Sequence, residues 1–367
     1  MVVHRPETRT RGKRSTRLII TAIAALVTAV AGSFGIVRNV HAQLDGIKRE
    51  ATATEALSAP DELFENYLLV GSDSRAGADP TDADFNAVGA EGDIGGQRSD
   101  TLMVMHYVKK TGSVSLLSIP RDLWVAIGGG EDFQRINTAY QAGTDVLVRT
   151  VQSALGVPIH HYVEIDFQGF KQIVDAVGGV SVCVDYPSRD KHTGLFMKPG
   201  CSILDGVEAL AFARSRFFEQ KVEGDWQIDG SSDIGRTARQ RSFVEALAKS
   251  AVAGVVGNPF SVGKVMSGGL GAIVVDDQLD LVEFAKKMRP AASGNIASFP
   301  LAVYGDTING NSVLQLGEEA EMLRTELQTM ADHGVEHFVM DFGHPQSTEP
   351  VMRFVEQVLR PMKAARK

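Results

Sequence analysis

Residues 18–37 read LIITAIAALVTAVAGSFGIV, twenty consecutive positions without a charge. As a helix rising about 1.5 Å per residue, such a run spans roughly 30 Å, the thickness of a bilayer's hydrocarbon layer. Arg5, Arg9, Arg11, Lys13, Arg14 and Arg17 precede it, and the positive-inside rule then puts the N-terminus in the cytoplasm and everything after Arg38 outside. A cleaved signal peptide is the rival reading, because Val40-His41-Ala42 has small residues at cleavage-site offsets. The run, however, exceeds the ~7–15 residues of an ordinary signal core, and Arg38 interrupts the approach. We read 18–37 as an uncleaved single-pass anchor, with 1–17 as a basic cytoplasmic tail.

Composition agrees with two compartments. The chain has 367 residues and a net charge of −8, which excludes a nucleic-acid binder held by bulk charge. Residues 1–38 carry seven basic residues against Glu7 alone, which leaves thirty basic against 44 acidic in the remainder. At 44% apolar and 22% charged residues the body can bury a sizeable core. Cys183 and Cys201, 18 positions apart, flank a polar segment with Pro187, Gly194, Pro199 and Gly200. In an oxidising compartment they would close a loop worth about 3 kcal/mol.

Residues 38–62 are polar and Ala-rich with little apolar periodicity, and read as a juxtamembrane stalk. From 63 to 330 strands and helices alternate. Residues 67–70, 101–108 and 114–119 read as strands, the last two joined by turn chemistry at Lys109-Lys110-Thr111-Gly112. Residues 144–155 predict a helix, 161–165 a strand, 167–177 a helix closed by Gly178-Gly179, and 181–184 a strand. Helical patterns follow at 205–214, 234–255, 279–287 and 318–328, with a strand at 296–301. This order predicts an α/β domain, three-layer α/β/α around a central mixed sheet, behind one N-terminal transmembrane helix. Residues 331–367, with a further strand (337–340) and helix (351–362), form a C-terminal extension.

Charged residues fall at strand ends. Asp73 follows the first strand, Asp100 opens the second, and Arg121-Asp122 follows the third. A hairpin turn centred between Lys110 and Thr111 pairs residues whose numbers sum to 221, which sets Asp100 against Arg121 at the open end. Asp73 joins them if the first strand runs antiparallel to the second. In 234–255, Arg236 and Gln240 share a stripe with Phe243, Leu247 and Ala251 and point inward, whereas Arg239 and Arg241 fall off it and are expected in solvent. In 205–214, Arg214 shares a stripe with Val207 and Leu210, and Arg216 lies just past it. Inward arginines are costly unless an anion meets them. Two carboxylates with several such arginines suit a pyrophosphate with Mg²⁺. The same groups can also pair among themselves as structural salt bridges, and spacing alone leaves both readings open.

Seven separated stretches carry a resemblance: NYLLVGSDSR (66–75), RSDTLMVM (98–105), VSLLSIPRDLWV (114–125), RINTAYQAG (135–143), YVEIDFQGFKQIVDAVGGVSVCVD (162–185), LDGVEALAFARSR (204–216) and DIGRTARQR (233–241). In this order they are similar to the LytR-CpsA-Psr family of cell-envelope glycopolymer phosphotransferases. The match covers roughly 66–255, and 256–330 more loosely. The resemblance implies a membrane-anchored enzyme that moves a glycopolymer from a polyprenyl-pyrophosphate carrier to a peptidoglycan sugar hydroxyl. It implies that Asp73 and Asp100 hold Mg²⁺, with Mn²⁺ as an alternative ion. Arg98, Arg121, Arg214, Arg216, Arg236 and Gln240 would bind the pyrophosphate, and Arg135 stands where the family carries a basic residue ahead of "IN". It also implies an apolar tunnel for the prenyl chain, for which 167–177, 207–212 and 243–255 are candidates.

Two acidic insertions depart from the family pattern, 76–97 and 217–232, the latter opening on Phe217-Phe218. They are expected at the site mouth. The attacking hydroxyl needs a general base, for which Asp122 or a metal-shell carboxylate is the candidate, since arginine stays protonated. A polyprenyl-pyrophosphate hydrolase and a non-catalytic precursor sensor are the alternatives. A transcription attenuator fares badly with about 17 cytoplasmic residues. Teichoic acid, capsule and arabinogalactan all fit as the polymer, with a slight lean to arabinogalactan from the Ala/Gly-rich character.

Overall fold

The computed structural model describes residues 47–74, 99–229, 232–257, 273–293 and 296–317. The apolar run 18–37, the insertion 76–97, the helix expected at 318–328 and the extension 331–367 lie outside them. By internal contacts the chain divides after Gly46, and all described residues belong to the unit that starts at Ile47. Among the described residues no helix is long and apolar enough to cross a membrane.

In chain order these residues form β1 (Lys48–Arg49), α1 (Ala51–Ala56), β2 (Phe64–Ser72), β3 (Ser99–Val108), β4 (Ser113–Ile119), β5 (Trp124–Ala126) and β6 (Phe133–Arg135). Next come α2 (Thr138–Ala142), α3 (Thr144–Leu155), β7 (His161–Ile165), α4 (Phe167–Ala176), β8 (Val180–Val184), β9 (Ser188–Asp190), β10 (Leu195–Met197), β11 (Gly200–Leu204) and α5 (Gly206–Arg214). Last are β12 (Glu219–Val222), β13 (Asp225–Ile228), α6 (Ser232–Gly257), β14 (Ile273–Val275), α7 (Leu281–Ser293), β15 (Ala297–Pro300), β16 (Val303–Ile308) and β17 (Asn311–Leu316).

The central sheet has the order β1-β14-β7-β2-β3-β4-β15. It is mixed, as expected: β2 runs antiparallel to β3 and parallel to β7, while β15 runs parallel to β4. The β3–β4 hairpin keeps the predicted register, with Leu102 facing Ile119 and Met103 facing Ser118. Consecutive residues of β3 from Leu102 to Met105 are all buried, because helices cover both faces. On one face α1, α2 and α3 pack on Leu68, Val70, Val104 and Leu117. On the other, Phe284 of α7 meets Tyr67 at 5.1 Å between ring centroids, and α6 reaches β4.

The stalk expected over 38–62 is corrected from Ile47 onward. Lys48 and Arg49 add a parallel strand to β14, Arg49 Nη1 donates to the carbonyls of Asp276 (2.7 Å) and Leu279 (2.8 Å), and Ala53 is fully buried. A two-residue strand borrows its order from its partner, and alanines leave no period to read. The insertion 217–232 is likewise more than a loop: β12 and β13 extend a second sheet, β10-β9-β12-β13. Cys183 and Cys201 face each other on β8 and β11 and form a disulfide, as expected.

Candidate functional site

The sheet topology gathers the charged strand ends on one side. The C-termini of β2, β4 and β7 and the N-terminus of β3 all lie at one end of the central sheet. Asp73 follows β2, Asp100 is the residue of β3 that the bulge at Gly71/Ser72 leaves without a facing partner on β2, and Arg121 follows β4. Gly71 faces Thr101 so closely that a Cβ would lie 3.0 Å from the threonine Cβ, which explains a glycine here. Arg98 and the Asp100 side chain lie outside the described residues.

After Pro120 the chain turns into the β5–β6 hairpin, where Trp124 pairs with Arg135. This fold-back brings three predicted residues together. Asp122 Oδ2 lies 3.6 Å from Arg121 Nε, and its Oδ1 lies 3.5 Å from Arg135 Nε. Arg135 Nη2 also donates to the Ser312 carbonyl at 2.9 Å. Asp122 is thus a carboxylate shared by two guanidinium groups.

On α6 the stripe points inward, as predicted. Arg236 is 2% exposed and Gln240 8% exposed, on the same stripe as buried Phe243. Gln240 Nε2 donates to the Ala213 carbonyl at 3.1 Å, which ties α6 to the end of α5. Helix α5 is set by a capping box, with Asp205 and Glu208 exchanging hydrogen bonds. A Cβ at Gly206 would fall 2.5 Å from the Lys171 carbonyl oxygen, so only glycine lets α5 start against α4. At its other end the Arg214 guanidinium lies 4.7 Å from the Phe167 ring centroid, a cation–π distance. Arg216 is half-buried just beyond.

Two expectations are corrected. Arg239 is not solvated: it donates to Asp229 (2.9 Å) and to the Ser215 carbonyl (2.7 Å), and sits over Phe218 at 4.5 Å. Arg241 donates to Ser118 Oγ of β4 at 2.6 Å. Burial lowers both guanidinium pKa values from the ordinary one. Residues flanking an apolar stripe face neighbouring elements rather than water once a helix is covered on several sides, and a single-helix stripe does not reveal that.

A group missed from sequence stands at the same sheet end. Tyr140 of α2 and Tyr162 of β7 donate to the two oxygens of Glu164, at 2.5 and 2.6 Å. Burial first, then the charges of Glu164 and Asp73, push the Tyr140 phenol well above its usual pKa, so it remains a donor. The available signal was an acid near the end of the apolar strand Tyr162-Val163-Glu164-Ile165. Among the described residues no group of three or more His, Cys, Asp or Glu side chains forms a metal cage. Asp73 and Asp100 offer oxygen donors only, a set that suits a hard cation.

Beneath α6 a cavity of about 370 Å³ is lined by Val182, Val184, Phe212, Phe218, Phe243 and Ala246, with Arg239 among its polar walls. Phe212, Phe243 and Ala246 belong to the segments expected to line a tunnel; the β8 residues and Phe218 do not.

The probable cell wall biosynthesis protein LcpB of Corynebacterium glutamicum is 37% identical over 275 residues, 73% of this chain and 62% of LcpB. The polyisoprenyl-teichoic acid–peptidoglycan teichoic acid transferase TagU of Bacillus cereus is 36% identical over 214 residues, 58% of this chain and 60% of TagU. The chain therefore spans about three fifths of these relatives' length. The crystal structure of B. subtilis TagV superposes with a TM-score of 0.55 at 25% identity, over 74% of this chain and 99% of TagV. The LytR_cpsA_psr family model matches residues 37–329, so the chain belongs to that family.

Proposed function

We propose that this chain is a cell-wall glycopolymer transferase that moves a glycopolymer from a polyprenyl-pyrophosphate carrier to a peptidoglycan sugar hydroxyl. The observation that carries this reading is the meeting of Arg121, Asp122 and Arg135 at the sheet end that also holds Asp73. Buried Arg236 and Gln240, on a helix braced against α5, add to it. Naming of the relatives as cell wall biosynthesis and teichoic acid transferase proteins supports the same class.

In this mechanism positioning and electrostatics dominate. Arg98, Arg121, Arg135, Arg214, Arg216, Arg236 and Gln240 hold the pyrophosphate oxygens, and Asp122 orients the Arg121 and Arg135 forks. The acceptor hydroxyl attacks the sugar-linked phosphorus, the bridging P–O bond breaks, and prenyl phosphate leaves with the electron pair. The hydroxyl proton goes to a carboxylate at the sheet end, where Asp73 and Asp122 stand, because guanidinium groups remain charged. Asp73 and Asp100 would hold Mg²⁺, which when bound supplies charge neutralisation for the diphosphate. The prenyl chain lies in the cavity lined by Phe212, Phe218 and Phe243, and residues 18–37 anchor the enzyme beside its lipid substrate, with the domain extracellular.

The test is incubation of the full chain with Mg²⁺ and a prenyl-pyrophosphate oligosaccharide. Prenyl phosphate released only when a peptidoglycan fragment is added is the expected result. Release without acceptor would make the chain a hydrolase, and tight binding without release a sensor.

A further inference from the structure

Arg214 and Arg216 flank Ser215, and the turn 215–217 decides where both guanidinium groups can reach. Ser215 is fully buried between them. Its hydroxyl does not face solvent or the cavity but Asp190 of β9, which itself has no exposure.

A fully buried carboxylate is costly unless its oxygens are met. Those of Asp190 are. Oδ2 accepts from Ser215 Oγ at 2.7 Å, from the Arg216 N–H at 3.1 Å and from the Phe217 N–H at 2.9 Å. Oδ1 accepts from the His192 N–H at 2.8 Å, with His192 Nδ1 3.4 Å away. Burial alone would raise its pKa, but the hydrogen bonds from Ser215, Phe217 and His192 outweigh it and hold the carboxyl below the ordinary range. Two successive backbone N–H groups converging on one anionic oxygen form the kind of nest that elsewhere takes a bound anion. Here the protein supplies the anion, so the backbone of the turn is fixed from within.

Other contacts close the same turn. The Ser215 carbonyl accepts from Arg239, which Asp229 and the Phe218 ring hold in place. Beyond the turn, Glu219 pairs with Arg189 and Gln220 with Ser188, so β9 is bonded to the strand that the turn leads into. The insertion 217–232 thus ties the turn to β9 on one hand and to Arg239 of α6 on the other.

We propose that Asp190 is a positioning residue: it fixes the turn 215–217 so that Arg214 and Arg216 meet the donor phosphates together. This rests on reading those arginines as phosphate ligands. The experiment measures donor kcat/KM, acceptor KM and Tm for the full chain, Asp190→Asn, Ser215→Ala, Arg216→Ala and the Asp190→Asn/Arg216→Ala double variant. Asp190→Asn is expected to lower donor kcat/KM on the order of 10²-fold, with acceptor KM unchanged. Ser215→Ala, which removes one of the hydrogen bonds, is expected to lower the same parameter several-fold and carries the test if Asp190→Asn fails to fold. In the Arg216→Ala background the Asp190 effect is expected to shrink several-fold, to the part that acts through Arg214, since residues acting through one another are not additive. A full-sized Asp190 effect in that background, or an acceptor KM that moves with the donor's, overturns the proposal. Wild-type turnover by Arg216→Ala would instead refute the phosphate reading itself, whatever Asp190 does.

Discussion

The central sheet buries Leu68, Leu102, Met103 and Leu116 almost completely, between helices on both faces. The four-stranded sheet β10-β9-β12-β13 leaves Phe196 60% and Ile228 58% exposed and instead buries Ser188 and Asp190. One is held by apolar area removed from water on both sides. The other is made of strands of three or four residues, held by Leu195 and Met197 on its covered face and by hydrogen bonds to one carboxylate. The proposed site draws on both. The first sets the distance between strand ends; the second sets the attitude of a turn. Rigidity at a site therefore does not require a large apolar core beneath every ligand.

Mutation can break this contrast. The largest effect is expected at the end of the central sheet: Arg121→Ala should cost turnover on the order of 10³-fold with the fold retained, checked by transfer kinetics and circular dichroism. Unchanged rates would remove the site from that sheet end. Next, Leu68→Ala should destabilise by about 2–5 kcal/mol, read by urea unfolding. Opening the Cys183–Cys201 loop by Cys201→Ser together with Cys183→Ser should cost about 3 kcal/mol by the same measurement.

A comparable loss is expected from acid. His106 and His160 are buried near Phe64, and burial, the largest cause, lowers both pKa values to about 4. Their folded pKa values lie below the unfolded one of about 6.5, so the folded state resists protonation. Stability is complete above pH 6.5 and falls as pH drops towards 4, by on the order of 3 kcal/mol per histidine. His106→Asn with His160→Asn should flatten that part of a Tm-against-pH curve. The smallest effect is expected on the open face of the small sheet, where Phe196→Ala should change stability by no more than about 0.5 kcal/mol. A larger loss would mean that this face, too, is held by apolar burial.

The same contrast explains what was legible. The β3–β4 register could be placed from a turn and two apolar runs, because long strands with buried faces admit few alternatives. Helix α3 and strand β7 were bounded by their own periods. Arg236 and Gln240 could be read as inward because Phe243 marked their stripe. In contrast, Ser188-Arg189-Asp190 has no apolar period, and its strand exists only because β10 and β12 lie beside it. Glu164 and Arg241 acquire meaning from Tyr140 and Ser118, partners distant in sequence. Asp190 reads as an ordinary turn acid until the 215–217 backbone is seen folded around it.

Strand β1 has a mechanical consequence. It lies parallel to β14, and the Arg49 guanidinium grips two carbonyls beyond that strand. A force directed along β1 would load these bonds lengthwise and together rather than peel them singly.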